Sequence, residues 1–287
     1  MTRLYSAVAL SSLAFLGPAA ATATCTPEPP ATCRRQLQET GPSTRVVNGE
    51  EVCPAFSYPF LASMMVPTTI FGNSYIPDEG YYAYYFNVCG ATIYDRTHLI
   101  TAAHCLSGYD LSGLSVEVHR HDISKPVCEE CAYRMKVASV SLHPQYDDET
   151  LENDVAILYL EEPIPDTVAL STVTLDDGTW TGVGDDLIIA GWGALDDPPD
   201  PDEASSYPDV LQTGQVTVEP SDGSTSLCSP DLGVTDGMVC AHGSTSNNMV
   251  VDTCQGDSGG PAFVQCSDSN VILAGIVSWG YGCALRD

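Results

Sequence analysis

Cationic side chains are scarce in this sequence: 10 Lys and Arg stand against 38 Asp and Glu, for a formal net charge of −28. Arg3, Arg34, Arg35 and Arg45 against Glu28 and Glu39 leave the first 45 residues at +2, so the acidity belongs to the remainder. Such a surface repels nucleic acid and anionic lipid and favours cationic partners. Solubility alone is an equally good reason for it. Long apolar runs are lacking too. The run Ala7–Gly17 is too short to span a bilayer, and no later segment is long enough. There is no internal repeat. Cys128-Glu129-Glu130-Cys131 has no second pair at zinc-ligand spacing, so it reads as a disulfide-linked surface loop rather than a metal site. Charged residues are only 17% and hydrophobic residues 44%, which excludes disorder of the whole chain.

Arg3, the apolar run and the small residues Ala21-Thr22-Ala23 together read as an export leader over residues 1–23. Twelve cysteines fit an oxidising, extracellular destination, where they pair as disulfides. Residues 24–45 are rich in Pro, Thr, Arg and Gln and contain Cys25 and Cys33, a composition suited to a removable propeptide. From Val46 to the end, short β-prone runs recur between turn formers: Leu114–His119, Met135–Ser141, Val155–Leu160, Leu187–Ala190, Gln215–Val218 and Ile272–Ser278. That pattern favours an antiparallel sandwich or barrel. Pro67–Asn87 and Ala194–Asp209 read as exposed loops, the second because Pro and clustered carboxylates resist a sheet interior.

Gly256-Asp257-Ser258-Gly259-Gly260-Pro261 is the sharpest chemical signal. A serine hydroxyl attacks only when a base takes its proton, and flanking glycines let backbone N–H groups face a developing oxyanion. The segment also fits the nucleophile elbow of esterases and lipases, where the base histidine follows the serine. Here all six histidines precede Ser258, so the elbow fails on chain order. Upstream, Thr101-Ala102-Ala103-His104-Cys105 sets a histidine among small residues. Asn153-Asp154-Val155-Ala156-Ile157-Leu158 sets a carboxylate at the head of an apolar strand, where it needs a partner. His119 and His121 alternate on a strand without an evident third ligand and read as solvent-facing.

Thr101–Cys105, Asn153–Leu158, Asp252–Pro261 and Val277–Cys283 resemble the signature segments of the chymotrypsin-like serine proteases, and the resemblance runs from Arg45 to the end of the chain. It implies an all-β fold of two packed antiparallel β-barrels. It implies Ser258 as nucleophile, His104 as general base and acid, Asp154 as the group that orients the imidazole, and the N–H groups of Gly256 and Ser258 as oxyanion hole. Asp252, six residues before Ser258, would lie at the base of the primary pocket and select Arg or Lys, because an apolar guest leaves its buried charge unpaired. Ser278, Trp279 and Gly280 would pair with the substrate backbone, with Gly280 keeping the pocket mouth open.

Thr44-Arg45-Val46-Val47-Asn48-Gly49 resembles the family's zymogen junction. A cut after Arg45 would free the Val46 amino group to pair with Asp257. Asn48 departs from the usual Gly but tolerates positive φ. The resemblance pairs Cys89 with Cys105, Cys228 with Cys240 and Cys254 with Cys283. It leaves Cys25, Cys33, Cys53, Cys128, Cys131 and Cys266 unassigned; for Cys53 and Cys266, Thr213 and Leu187 stand where many relatives supply partners. No cofactor or metal is expected. The implied partners are protein or peptide substrates cleaved after Arg or Lys, and protein protease inhibitors; the chain is expected to act as a secreted monomer. The rival reading is a protease homologue without catalysis that serves as a binding protein. The family adds a further strand and a C-terminal helix after the segment ending at Asp287, so the second barrel is expected to lack one wall.

Overall fold

The computed structural model describes residues 8–12, 46–67, 85–108, 111, 113–196, 206–222, 224, 228, 230–243, 245–246, 249–267 and 270–284. Nearly all regular structure is β. In chain order, β1 (Val8–Ser12) and β2 (Glu50–Glu51) are followed by β3 (Leu61–Pro67), β4 (Tyr85–Ile93), β5 (His98–Thr101), β6 (Ser115–Val118), β7 (Tyr133–Leu142) and β8 (Ala156–Leu160). After β9 (Val173–Leu175) come β10 (Asp186–Gly191), β11 (Gln212–Val218), β12 (Met238–Gly243), β13 (Thr245–Ser246), β14 (Met249–Val250), β15 (Pro261–Ser267) and β16 (Asn270–Gly280). All six of the β-prone runs in the sequence are strands or overlap them. Of the two loop readings, residues 68–84 and 197–205 lie outside the described residues.

Strands β3, β4, β5, β8, β7 and β6 close into one barrel. Alternation dictates its packing: in β8 the pattern Ala156, Leu158, Leu160 is buried and the residues between are half-buried. Leu61, Met64, Ile93, Leu99, Val116 and Leu158 fill the interior. A second sheet runs β1-β12-β11-β10-β15-β16-β9, and β1 also pairs with β16. That extra pairing joins the two ends of the path β12 to β16, so the second sheet also closes. Val8–Ser12, a segment inside the stretch that reads as an export leader, lies in this sheet between β12 and β16.

The two barrels share one apolar seam, in which Phe263 of β15 meets Phe60 and Tyr58 edge-on at 4.9 and 5.0 Å between ring centroids. Edge-to-face geometry is the favourable arrangement for such rings. The loop after β6, bonded to the second sheet through Leu211 N and Trp192 Nε1 on His121 O, wraps a buried guanidinium. Arg120 is 4% exposed and lies 3.1 Å from Glu117 Oε2 and 3.3 Å from Glu130 Oε2. These are ionic contacts rather than aligned hydrogen bonds; the aligned ones go from Nη2 to the carbonyls of Asp122 and Lys125, at 3.1 and 2.8 Å. Arg134 adds a second cation on Glu117 at 2.6 Å.

Candidate active site

The site is built where the two barrels meet. β5 ends at Thr101, and the chain turns through Ala102 and Ala103, both fully buried, to His104. Small side chains let this turn lie against the second barrel. Asp154 precedes β8 and is 0% exposed. Asn153 before it adopts left-handed backbone (φ 56°), a conformation Asn tolerates, and this turns the carboxylate inward. Because β5 and β8 are paired, Thr101 opposite Ala156, the two turns lie side by side. Asp154 Oδ2 lies 2.7 Å from His104 Nδ1, and Oδ1 accepts from the His104 backbone N–H at 2.8 Å. Ser278 Oγ donates a third bond to Oδ2. Burial alone pushes the Asp154 carboxyl up. The bonds from His104 and Ser278, with the charge of the imidazole, outweigh that, and the net displacement is below the usual carboxylate range.

Ser258 comes from the other barrel, in the turn before β15. Its carbonyl accepts from Gly90 N at 2.7 Å, and Gly259 N donates to Val277 O at 2.8 Å. Gly90 follows Cys89, which is disulfide-bonded to Cys105, the neighbour of His104. The serine turn is therefore fastened to the strand that the histidine turn is also fastened to. The glycine after the serine is required by contact as well as by its φ of 76°. A Cβ on Gly259 would stand 2.2 Å from Thr101 Oγ1 and 2.5 Å from Gly90 O.

Asp257 is 2% exposed, and its carboxylate accepts from Gly193 N at 2.8 Å and Cys254 N at 3.0 Å. Burial pushes its pKa up to about 6; nearby Asp252 pushes the same way and the two N–H bonds oppose. No cation is paired with it among the described residues. Val46 is buried and Asn48 is left-handed (φ 66°), as its sequence position allows, while Arg45 lies outside the described residues. Asp252, 3% exposed, accepts from the N–H groups of Thr253 and Ala284 at 2.9 and 2.8 Å. Its neighbour Cys254 is bonded to Cys283, so the chain on both sides of this carboxylate is held. Ser278 is buried, Trp279 half-buried and Gly280 exposed at the end of β16. Gly256 (φ 99°) packs on Gly193, and a Cβ at Gly256 would stand 3.2 Å from that residue's Cα.

Cys228 and Cys240 form the third disulfide. Cys53 and Cys266 are also disulfide-bonded, whereas Cys25 and Cys33 lie outside the described residues. Two readings need correction. Cys128 and Cys131 are exposed free thiols, not a closed disulfide loop. His119 and His121 are half-buried rather than solvent-facing: His119 stacks on Phe56 at 4.4 Å, and burial pushes His121 below its ordinary pKa. Cys89, His104 and Cys105 bring ligand-type atoms within 4.8 Å of one another. Both sulfurs are in one disulfide, so no thiolate is available to a metal. Sequence reasoning missed three contributors: Ser278 as a donor to Asp154, Gly90 as the anchor of the serine turn, and the Gly191-Trp192-Gly193 run that cradles Asp257. The last was legible as two glycines closing a strand.

Two packed β-barrels with a buried carboxylate–histidine pair and a glycine-flanked serine at their junction define the architecture of chymotrypsin-like serine proteases. The sequence profile of the Trypsin family matches residues 47–287. Trypsin-1 of Astacus astacus is 36% identical over 212 residues, covering 72% of this chain and 82% of that protein. Trypsin of Sus scrofa is 33% identical, covering 69% of this chain and 77% of that protein. Serine proteinase stubble of Drosophila melanogaster is 31% identical across 85% of this chain, which spans only 29% of that protein's length. The chain belongs to the trypsin family and is a serine-type endopeptidase.

Proposed function

We propose that the protein is a secreted endopeptidase that cleaves after Arg or Lys through a Ser258–His104–Asp154 triad, and that it is made as a zymogen activated by a cut after Arg45. The observation that carries this reading is the His104–Asp154 pair, 2.7 Å apart with the carboxylate wholly buried. A carboxylate held ionised on Nδ1 fixes the tautomer that leaves Nε2 free as a base. The imidazole takes the Ser258 proton as Oγ attacks the scissile carbonyl, and the carboxylate stabilises the imidazolium so formed. The N–H groups of Gly256 and Ser258 stabilise the oxyanion. The imidazolium then protonates the leaving amine, and water repeats the sequence on the acyl-enzyme.

Asp252 supports the preference for Arg and Lys. Its carboxylate is buried, and a buried carboxylate favours a cationic guest over an apolar one. Asp257 supports activation by cleavage. It is buried against two N–H groups, and a new ammonium at Val46 supplies a charge that the pocket around it favours. A leader over residues 1–23 supports export; among the described residues no helix is long and apolar enough to cross a membrane.

The test is to cleave the full chain after Arg45, label it with a serine-directed phosphonofluoridate and map the adduct. One adduct on Ser258 is expected; absence of any adduct supports the non-catalytic binding protein instead. Asp252→Ser is expected to abolish cleavage after Arg and Lys while leaving titratable active sites. A wild-type kcat/KM that favours Phe or Leu peptides would refute the pocket assignment.

A further inference from the structure

The sequence holds twelve cysteines. Three disulfides take Cys89, Cys105, Cys228, Cys240, Cys254 and Cys283, and Cys128 and Cys131 are free thiols. Cys53 and Cys266 are each disulfide-bonded. Thr213 and Leu187, at the places where many relatives supply their partners, carry no sulfur: Thr213 Oγ1 donates to Ile189 O, and Leu187 is wholly buried. Cys53 and Cys266 are left with each other or with Cys25 and Cys33.

Sheet register rules out the first choice. Glu51 lies opposite Gln212, the first residue of β11, and Val52 N donates to Leu211 O, so Cys53 stands beyond that end. Across β10 and β11, Gln212 is opposite Gly191 and Thr217 is opposite Asp186. β15 runs along the other edge of β10, with Ala262 opposite Ile189 and Phe263 opposite Ile188. Cys266 follows in the same direction and is therefore level with the Asp186 end. The 7 residues of β11 hold the two ends about 20 Å apart, at roughly 3.3 Å per step. A disulfide needs its Cα atoms about 4.4–6.8 Å apart.

We propose that Cys25 and Cys33 bond Cys53 and Cys266, one to each, and that the propeptide therefore stays on the protein after the activating cut. Each bond forms as two thiols give two electrons and two protons to a disulfide oxidant of the export compartment. Chain length permits both bonds. The eight steps from Cys25 to Cys33 reach about 25 Å in the extended form that Pro27, Pro29 and Pro30 favour. The functional half rests on the proposed cut after Arg45, which adds water across the Arg45–Val46 bond and opens no disulfide. Arg34, Arg35 and Arg45 are the only cations of residues 24–45, and all follow Cys33. An enzyme that cuts after Arg trims the piece to residues 24–34 and no further. That piece joins the segment entering the first barrel to β15 of the second, and reduction rather than proteolysis releases it.

A disulfide map of the exported, unreduced chain tests this without relying on catalysis. Digestion with pepsin at acid pH suppresses thiolate exchange. Mass spectrometry is expected to find peptides carrying Cys25 or Cys33 joined to peptides carrying Cys53 or Cys266, and to find them separate after reduction. A Cys53–Cys266 link, a Cys25–Cys33 link, or free thiols at Cys25 and Cys33 overturns the proposal. The second arm cleaves Ser258→Ala after Arg45 with an added Arg-specific protease. The unreduced product is expected to keep residues 24–34 in denaturant and to lose them on reduction; loss without reductant overturns the proposal. A failed map in a chain that labels at Ser258 removes the tether alone. A correct map in a chain that takes no label counts against the protease reading alone.

Discussion

Two carboxylates in the site meet opposite fates, and the difference lies in their partners. Asp154 is buried but faces an imidazole and a hydroxyl, so it stays ionised. Asp257 is buried against two neutral N–H groups, so its pKa rises to about 6 from 3.8. A folded value above the unfolded one stabilises the folded state where the proton is bound. That contribution is complete below pH 3.8 and has been lost once the pH passes about 6, a change of about 3 kcal/mol. The uncleaved chain is therefore expected to lose stability between those limits, beyond what its other groups contribute. Urea unfolding across this range, beside Asp257→Asn, measures it: the substitution should flatten the step, and an identical profile would remove Asp257 as the cause. Under the proposed activation, cleavage after Arg45 is expected to reverse the preference, because an ammonium beside Asp257 would stabilise the carboxylate. At this scale the meeting of His104 with Asp154 was legible because each stands in a distinctive local context. Ser278 on Asp154 was not, because a hydroxyl in an apolar strand carries no sign of which way a bulge will point it.

Strand periodicity made most elements readable. β8 alternates cleanly, and β16 reads as a continuous apolar run because nearly all of Val271–Ser278 is buried. Strand pairing was less legible. Nothing in the sequence places Val8–Ser12 beside residues 238–241 and 275–280, since register is set by what an edge leaves open rather than by local composition. The turn after β10 shows how an element end can carry chemistry. A Cβ on Gly193 would stand 2.4 Å from the Asp257 carboxylate carbon, and one on Gly191 would stand 2.2 Å from its Oδ1. Gly193→Ala is expected to dislodge Asp257 and lower the burst titre at least about tenfold while the first barrel stays folded. Titration against near-UV circular dichroism checks this, and a full titre would mean that the carboxylate can move without consequence.

For the molecule as a whole, scarcity of cations bears on survival as well as on charge. Arg96 donates to the carbonyls of Ile164 and Pro165, Arg120 is buried, Arg134 is tied to Glu117, and Lys125 precedes Pro126. Lys136 has an 81% exposed side chain but lies within β7. An enzyme with the proposed specificity finds no basic residue on a loop it can readily open among the described residues. Self-digestion is expected to be slow in the folded state and rapid once the first barrel unfolds. Mass spectrometry of aged enzyme decides, and early fragments ending at Arg96 or Lys136 would overturn the argument. The Arg120 loop carries a further consequence. Two carboxylates and two carbonyls surround a positive charge there, a donor set that would otherwise suit a hard divalent ion. The charge is encoded in the chain and cannot be washed out. Chelation with EDTA is expected to leave the melting temperature unchanged, whereas Arg120→Met takes the cation from Glu130, leaves Glu117 with Arg134 alone and costs about 3–5 kcal/mol. Integrity of this loop is thereby uncoupled from the mineral content of whatever fluid the protein enters.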